Sequence, residues 1–241
     1  MVDWLVAMRR LGDATALDTR LRNHVEDREL DRLAATLARF YRHARPVHTT
    51  PSALRAAWRD ALAYDRRVLL DPGLPTPHGL VRRIHSVLRR FLDTHGADLA
   101  ERARRRRILD GHGDLRPEHI WLGDRVRIID CLEFNPALRA SDPVDEIAFL
   151  DLECERLGAP RAGARIRDRV LAEMGERPGE LLYRFYRCHR AVLRARLSIA
   201  HLLEPDGRTP EKWPELARAY LRIAARDAAR IEVCLNRPSG Q

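Results

Sequence analysis

The sequence contains almost no lysine. Lys212 is the single lysine, so nearly all of the 44 basic residues are arginine, and they outnumber the 35 acidic residues to give a formal net charge of +9. A positive balance favours anionic partners such as nucleotides, although arginines spread along a chain are typical of a solvated surface. No aromatic-interleaved basic motif accompanies them, so we do not expect a nucleic acid as the partner.

Cysteine is also scarce, and long apolar runs are missing. The four cysteines are far apart and form no CxxC pair, which excludes a zinc ribbon or a disulfide scaffold and is typical of a reducing cytosol. The N-terminal stretch "MVDWLVAMRRLG" is too short and has the wrong polarity for a signal peptide, and no later stretch is apolar enough to span a bilayer. We therefore expect a cytoplasmic protein without a membrane partner.

Helical periodicity is what the sequence has in abundance. Apolar residues three and four positions apart predict a helical chain from Asp13 onward, with individual helices over residues 27–44, 50–70, 80–107, 143–158, 180–204 and 213–235. Thr50-Pro51 and Asp142-Pro143 are typical helix starts, and Gly158 is a typical helix end. With 45% hydrophobic residues in 241, the chain can bury a sizeable core, and we expect one mainly α domain.

One stretch departs from this pattern, "ILDGHGDLRPEHIWLGDRVRIIDCLEFN" over residues 108–135. Its apolar runs "HIWL" and "RVRIID" flank Gly123-Asp124, which predicts a β-hairpin. The expected fold class is therefore mainly α with a small β-hairpin (α+β). Charge-bearing groups crowd this short segment, namely His112, Asp114, Glu118, His119, Asp130 and Glu133.

The spacing of these groups matches a known catalytic loop. From His112 the sequence is H-G-D-L-R-P-E-H, whereas the protein-kinase loop has the form H-x-D-L-x-x-x-N. Asp130 ends the next apolar run, where a kinase hairpin carries its metal-binding aspartate. Phosphoryl transfer needs a carboxylate at the acceptor hydroxyl and ligands that hold Mg²⁺ against the nucleotide phosphates. A loop followed by a hairpin brings Asp114, His119 and Asp130 together for that purpose.

The segment "HGDLRPEHI" followed by "IIDCLEFNPALRASDPVDEIAFL" resembles the aminoglycoside phosphotransferase-like (protein-kinase-like) family. The likeness is to a bacterial branch with an HGDLH-type loop and a D-x-x-E-F-N segment. "VDWLVAMRRL" is similar to its inter-lobe linker strand, and "YRCHRAVLRARLSIA" to its late helix. The resemblance covers most of the chain and implies a protein-kinase-like C-terminal lobe. Residues 1–12 would be a linker-strand remnant, and residues 13–241 the helical lobe, with a catalytic loop at 112–119 and a metal-site hairpin at 119–135.

The resemblance also implies roles for the residues of the loop and hairpin. Asp114 matches the catalytic base, and His112 matches the loop histidine that orients the loop without doing chemistry itself. His119 takes the place of the metal-binding asparagine, and Asp130 matches the metal-binding aspartate. Glu133 is a further ligand or a substrate contact.

Residues outside the loop take supporting roles under the same resemblance. Glu146 lies where the family has an acidic residue that supports the loop backbone. Val6, Ala7 and Met8 lie where the linker offers backbone groups and an apolar surface to adenine. The implied cofactors are ATP and Mg²⁺, and the implied acceptor is a small hydroxyl-bearing molecule.

Two features depart from the family pattern. His119 replaces an asparagine, and an imidazole favours softer ions, so Mn²⁺ is an alternative to Mg²⁺. Family members also grip the nucleotide with a glycine-rich loop and a lysine in an N-terminal lobe, whereas Lys212 lies far from the N-terminal end. We therefore expect most of that lobe to be missing from this chain, with a separately encoded N-terminal lobe as a partner.

Three functions remain open from the sequence. The first is a phosphotransferase that moves the γ-phosphate of ATP to a small acceptor. The second is a non-catalytic remnant or binding module that needs a partner chain. The third is a metal-dependent hydrolase in which His112, Asp114, His119 and Asp130 surround a metal that activates water, although no HxH or HExxH pair supports it. Metal preference and ATP binding distinguish the three.

Overall fold

The computed structural model describes residues 11–203 and 211–236, and in this part the protein is mainly helical with a small β part. The helices are α1 (Leu17–Arg22), α2 (Asp27–His43), α3 (Pro51–Leu69), α4 (His78–Arg104), α5 (Pro136–Arg139), α6 (Pro143–Arg156), α7 (Pro160–Glu173), α8 (Glu180–Ala200) and α9 (Lys212–Leu235). The strands are β1 (Leu109–Asp110), β2 (Ile120–Leu122), β3 (Val126–Ile128) and β4 (Ala140–Ser141). The predicted combination of many helices and a small β-hairpin is confirmed.

Within the described ranges, no helix combines the length and apolar character needed to cross a membrane.

The helix starts predicted from Thr-Pro and Asp-Pro are confirmed. Thr50 caps α3, because its hydroxyl accepts a hydrogen bond from the Ala53 amide at 3.1 Å. Asp142 caps α6 in the same way by accepting from the Val144 amide at 2.9 Å. Each cap satisfies an amide that the first helical turn leaves without a partner. Gly158, with φ of +84°, follows the end of α6 as predicted.

Two helices end earlier than the periodicity predicts. We expected residues 80–107 to form one helix, but α4 ends at Arg104 and Arg106 adopts a left-handed backbone with φ of +54°. The helix also contains a non-helical residue at His95, which marks a kink. The helix expected to continue to residue 204 ends at Ala200 and gives way to a short 3₁₀ turn, His201–Leu203. In both cases the backbone leaves the α-helical conformation before the apolar spacing of the sequence ends. The spacing alone therefore places the end of the helix too late.

Helix α7 was not predicted. Its buried face consists of Ala162, Gly163, Ile166 and Val170, and arginines occupy much of the rest. So small an apolar face gives a weak periodic signal, and packing against α2 and α6 stabilises the helix instead. The predicted linker strand over residues 1–12 lies almost wholly outside the described residues.

Two small antiparallel sheets position the polar loop. β2 and β3 form the predicted hairpin, with Ile120 opposite Ile128 and Leu122 opposite Val126. β1 and β4 were not predicted, and they pair Leu109 with Ser141. This second pairing joins the start and the end of the segment 111–139, so both ends of the candidate loop region are fixed to each other.

Helix α6 separates two hydrophobic clusters, and twelve of its fourteen residues are buried. Val144, Ala148 and Leu152 contribute to the cluster built with α3, α4, α8 and α9. Ile147 and Leu150 contribute to the cluster built with α1, α2, α7 and the hairpin. Because both sides of α6 are covered, it is the central element of the fold, and its polar residues are buried together with its apolar ones.

The larger cluster contains a stacked aromatic pair. The ring centroids of Phe91 and Phe185 lie 4.2 Å apart, and both side chains are fully buried. Trp58 contacts Phe185 edge-on. We expect Phe185→Ala to lower the free energy of unfolding by about 3–5 kcal/mol, because the cavity removes both the buried area and the ring contacts. Urea denaturation followed by circular dichroism measures this.

Phe134→Ala is the matched control, because Phe134 is 77% exposed. The same truncation there is expected to change the stability by less than about 0.5 kcal/mol. Equal losses for the two variants would contradict the arrangement of this core.

Candidate active site

A buried carboxylate organises the loop between β1 and β2. Glu146, on the first turn of α6, is fully buried. It accepts hydrogen bonds from the amides of His112 at 3.2 Å and Gly113 at 2.6 Å. It also accepts from the Tyr41 hydroxyl and the Ser141 hydroxyl, each at 2.9 Å. The predicted contact between Glu146 and the loop backbone is confirmed.

The donors of Glu146 come from three separate elements. Tyr41 belongs to α2, Ser141 to β4, and the two amides to the loop. Burial is the larger cause that raises the pKa of Tyr41, and the adjacent Glu146 charge is the second. The phenol therefore keeps the proton that it donates. Four donors replace the water that a buried carboxylate loses. The sequence offered no local signal for Tyr41, because it lies 105 residues from Glu146.

Two glycines make this close approach possible. A Cβ atom on Gly111 would lie 2.7 Å from Oε1 of Glu146, closer than non-bonded atoms allow. Gly113 adopts φ of +85°, and its Cβ would lie 2.9 Å from the Leu138 carbonyl oxygen. The first glycine admits the carboxylate, and the second supplies the left-handed turn.

Arg190 also holds the loop, through the carbonyl of Gly113. Its guanidinium donates to both oxygens of Asp145, at 2.9 and 2.7 Å, and to the Gly113 carbonyl at 3.3 Å. Burial opposes the charged form, yet the pKa of Arg190 is raised because the Asp145 carboxylate lies against it. Arg190 lies on α8, 77 residues from Gly113 in the sequence. The sequence therefore did not identify it as a residue that contacts the loop.

His112 binds the loop to the end of β3. Its Nε2 lies 2.9 Å from the Ile129 carbonyl oxygen, and its Nδ1 accepts from the Asp114 amide at 3.3 Å. Because a carbonyl can only accept, Nε2 carries the hydrogen and Nδ1 the lone pair. These contacts fix the backbone beside Asp114, and they agree with the orienting role that the resemblance implies.

Arg116 connects the predicted base to the predicted metal ligand. Its Nε donates to Oδ2 of Asp114 at 3.0 Å, and its Nη2 lies 2.9 Å from Nε2 of His119. The Nδ1 of His119 lies 2.9 Å from the Asp114 carbonyl oxygen, so Nδ1 carries the hydrogen and Nε2 accepts. Arg116 lies inside the motif, two residues after Asp114. Its position in the sequence could have identified it as a site residue, but the sequence analysis assigned it no role.

The pKa of His119 agrees with a neutral ring. Burial, first, and the charge of Arg116, second, lower the pKa of His119 below its ordinary value of 6.5. The carboxylates of Asp114 and Asp130 act in the opposite direction and do not reverse the shift. At neutral pH the ring is therefore uncharged, and its Nε2 lone pair accepts from Arg116.

Asp130 follows β3 and faces this lone pair. Its Oδ2 lies 3.2 Å from Nε2 of His119, its side chain is 71% exposed, and its backbone has a φ of +63°. A left-handed backbone is uncommon outside glycine, although aspartate tolerates it better than most residues. The structure thus joins Asp114 to His119 through Arg116 and places Asp130 against His119, while their chemical roles stay predictions.

Glu133 lies apart from this group. It is exposed, its amide donates to the Cys131 carbonyl at 2.7 Å, and its own carbonyl accepts from Arg139. The structure records no contact of its carboxylate with His119 or Asp130. Over residues 11–203 and 211–236, no group of three or more His, Cys, Asp or Glu side chains is arranged to hold a metal ion.

The predicted adenine-contacting residues Val6, Ala7 and Met8 lie outside the described residues.

A cleft of about 630 Å³ adjoins the loop. Phe40, Val126 and His112 are among the residues that line it, whereas Asp114 is not. The cleft therefore does not present the predicted base to a ligand.

No family model matches the chain, and no solved structure matches it. Uncharacterized proteins of Mycobacterium bovis and of two Mycobacterium tuberculosis strains are 32% identical to it over 204 residues. The matched region is 80% of this chain and 40% of each relative, so the chain spans less than half the length of the curated relatives that it matches.

The close approach of Gly111 to Glu146 generates a first test. We expect Gly111→Ala to lower the free energy of unfolding by about 1–3 kcal/mol, because the added methyl group forces the carboxylate away from its donors. Chemical denaturation measures this.

Gly79→Ala is the control, since a Cβ there meets nothing within 4 Å and Gly79 lies in α4. Its stability is expected to stay unchanged or rise slightly, because alanine is the better helix former. An equal loss in both variants would show that the Gly111 effect does not come from the carboxylate.

The pKa of His119 provides a second test. We expect its ring to titrate below pH 6.5, the value at which the unfolded chain takes up this proton. The unfolded state therefore binds the proton first as the pH falls, and the stability contributed by the neutral ring is lost below that pH. NMR of the imidazole resonances measures the midpoint.

Arg116→Gln is expected to raise this midpoint, because the variant removes the neighbouring positive charge. Arg125→Gln, in the exposed hairpin turn, removes the same charge elsewhere and is expected to leave the midpoint unchanged. A midpoint that responds equally to both variants would mean that Arg116 does not contact the ring in solution.

Proposed function

We propose that the chain is the helical lobe of an aminoglycoside phosphotransferase-like enzyme that transfers the γ-phosphate of ATP to a hydroxyl group of a small molecule. One observation carries this proposal, the meeting of Asp114, His119 and Asp130 on a loop and hairpin with kinase-type spacing. The support of the loop amides by Glu146 favours it further, because a catalytic carboxylate must be held in one position.

Asp114 is the proposed base. Arg116 occupies its Oδ2, and the structure gives no hydrogen-bond partner in the described residues to its Oδ1. In the proposed reaction the acceptor oxygen bonds to the γ-phosphorus while the bond to the β–γ bridging oxygen breaks. The hydroxyl proton passes to Asp114, and ADP leaves. The arginine contact orients the carboxylate, which suits a group that must meet the acceptor hydroxyl in one position.

His119 and Asp130 are the proposed metal ligands. Nε2 of His119 and Oδ2 of Asp130 lie 3.2 Å apart, and both are acceptors when the ring is neutral, so a cation fits their chemistry. Mg²⁺ at nucleotide sites commonly uses one or two protein ligands together with phosphate oxygens, and the imidazole favours Mn²⁺. When bound, the metal would neutralise charge on the phosphates, and Arg116 would have to move away from Nε2.

The nucleotide needs a second set of contacts. Family members supply a glycine-rich loop and a lysine from an N-terminal lobe, whereas Lys212 begins α9. We therefore propose such a lobe as the partner, in a longer polypeptide or as a separate chain. The length of the mycobacterial relatives leaves room for it, since the matched region is 40% of each.

Nucleotide binding tests this function. We expect the 241-residue chain, which lacks the contacts of the partner lobe, to bind ATP weakly in the presence of Mn²⁺ or Mg²⁺. We expect Asp130→Asn to weaken this binding by at least about tenfold further, because one of two metal ligands loses its charge. Isothermal titration calorimetry measures both. Asp124→Asn is the control, because it removes a carboxylate from the exposed turn of the same hairpin.

Other outcomes separate the remaining functions. If the wild-type chain binds neither metal–nucleotide complex, phosphoryl transfer by this chain alone is wrong, and a binding module that requires a partner lobe takes its place. Tight Zn²⁺ binding without nucleotide would favour the hydrolase. Equal affinities of Asp130→Asn and Asp124→Asn would contradict the assigned metal ligand.

A further inference from the structure

A second cleft lies between α3 and α4, away from the loop. It encloses about 360 Å³, and no residue of the segment 108–135 lines it. Its walls include Leu62 and Leu92, and the ring of His85 contributes to its lining. The volume is near the lower end of the range for small-molecule sites, and apolar walls with a few polar groups are typical of such sites.

In the described residues, His85 and two residues that influence it electrostatically carry buried polar atoms without hydrogen-bond partners. Asp65, His85 and His189 are all more than nine-tenths buried. Within the part of the chain that the structure describes, no hydrogen bond reaches Oδ2 of Asp65, Nε2 of His85 or either ring nitrogen of His189. The contact between Nε2 of His189 and Oδ2 of Asp65 is 3.4 Å. Arg196 satisfies only the other oxygen of Asp65, at 2.6 Å.

Such atoms are costly to leave unpaired. Native proteins compensate with bound water or a ligand. Of these three residues, His85 is the one that lines the cleft. Burial lowers the pKa of His85 to about 4, so the ring is neutral at physiological pH and offers one N–H and one lone pair. It suits a polar group of a ligand better than a bare cation.

Arginines outnumber acidic residues in the lining of the cleft. Arg59, Arg66 and Arg89 line it, against the acidic Asp60 and Asp93. Arg59 lies 3.9 Å from Asp93, whereas Arg66 and Arg89 form no ion pair with any residue in the described ranges. Two guanidinium groups with free donors, on facing helices, are suited to a carboxylate or a phosphate, which they bind with paired hydrogen bonds.

We propose that the cleft between α3 and α4 binds a small molecule whose anionic group, a carboxylate or a phosphate, contacts Arg66 and Arg89 and whose polar part reaches His85. The apolar walls favour a compact ring or short chain between these two ends. The site is separate from the catalytic loop and does not depend on the proposed phosphotransferase function.

Two probes test the site on the full chain. Benzoate and phenyl phosphate carry the same ring with the two anionic groups, and we expect at least one of them to bind with an affinity in the millimolar range or tighter. Arg66→Gln and Arg89→Gln are each expected to weaken binding about tenfold, because each removes a charge-assisted contact. Arg67→Gln and Arg83→Gln are matched controls on the same two helices, and neither lines the cleft.

NMR of the imidazole groups distinguishes this site from general attraction to a basic surface. The bound probe is expected to shift the ring resonances of His85 in the wild type and in both controls. No binding of either probe, unchanged His85 resonances, or equal weakening by all four variants would overturn the proposal. A preference for benzoate assigns a carboxylate ligand, and a preference for phenyl phosphate assigns a phosphate ligand.

Discussion

The carboxylate of Glu146 is the constraint on which the rest of the candidate site depends. Within the described residues it forms no ion pair, and two amides and two hydroxyls solvate it instead. A buried charge is tolerated only when such donors are in place. The position of the loop, the two glycines and the inward hydroxyl of Tyr41 all follow from this requirement. The side chain of Asp114 is then presented by a backbone that has little freedom to move.

Much of the fold was predictable, because long amphipathic helices carry a strong periodic signal. The helix starts at Thr50 and Asp142 and the hairpin at residues 119–130 followed from local chemistry. Helix α7 was missed because its apolar face is small and made mostly of small residues. The pairing of β1 with β4 was missed because strands of two residues have no period, and their partners are distant in sequence.

The part of the site that could be predicted is the part whose residues lie close together along the chain. The loop spacing identified Asp114 and His119, and the end of the second apolar run identified Asp130. The contacts of Arg190 and Tyr41 depend on helices far away in the chain, so no motif contains them. Glu133 is the opposite case. It lies near Asp130 in the sequence, but its side chain does not contact His119.

The burial of α6 on both sides has a consequence for how the sequence can vary. Asp145, Asp151 and Glu153 on this helix contact Arg190, Arg187 and Arg156, respectively. The first two contacts are made to α8, so neither side of such a pair can change alone without leaving a charge stranded in the interior. Variation at Asp145 and Asp151 is therefore restricted to coordinated exchanges with α8. The forked, two-nitrogen contacts also exclude lysine as a substitute at Arg190.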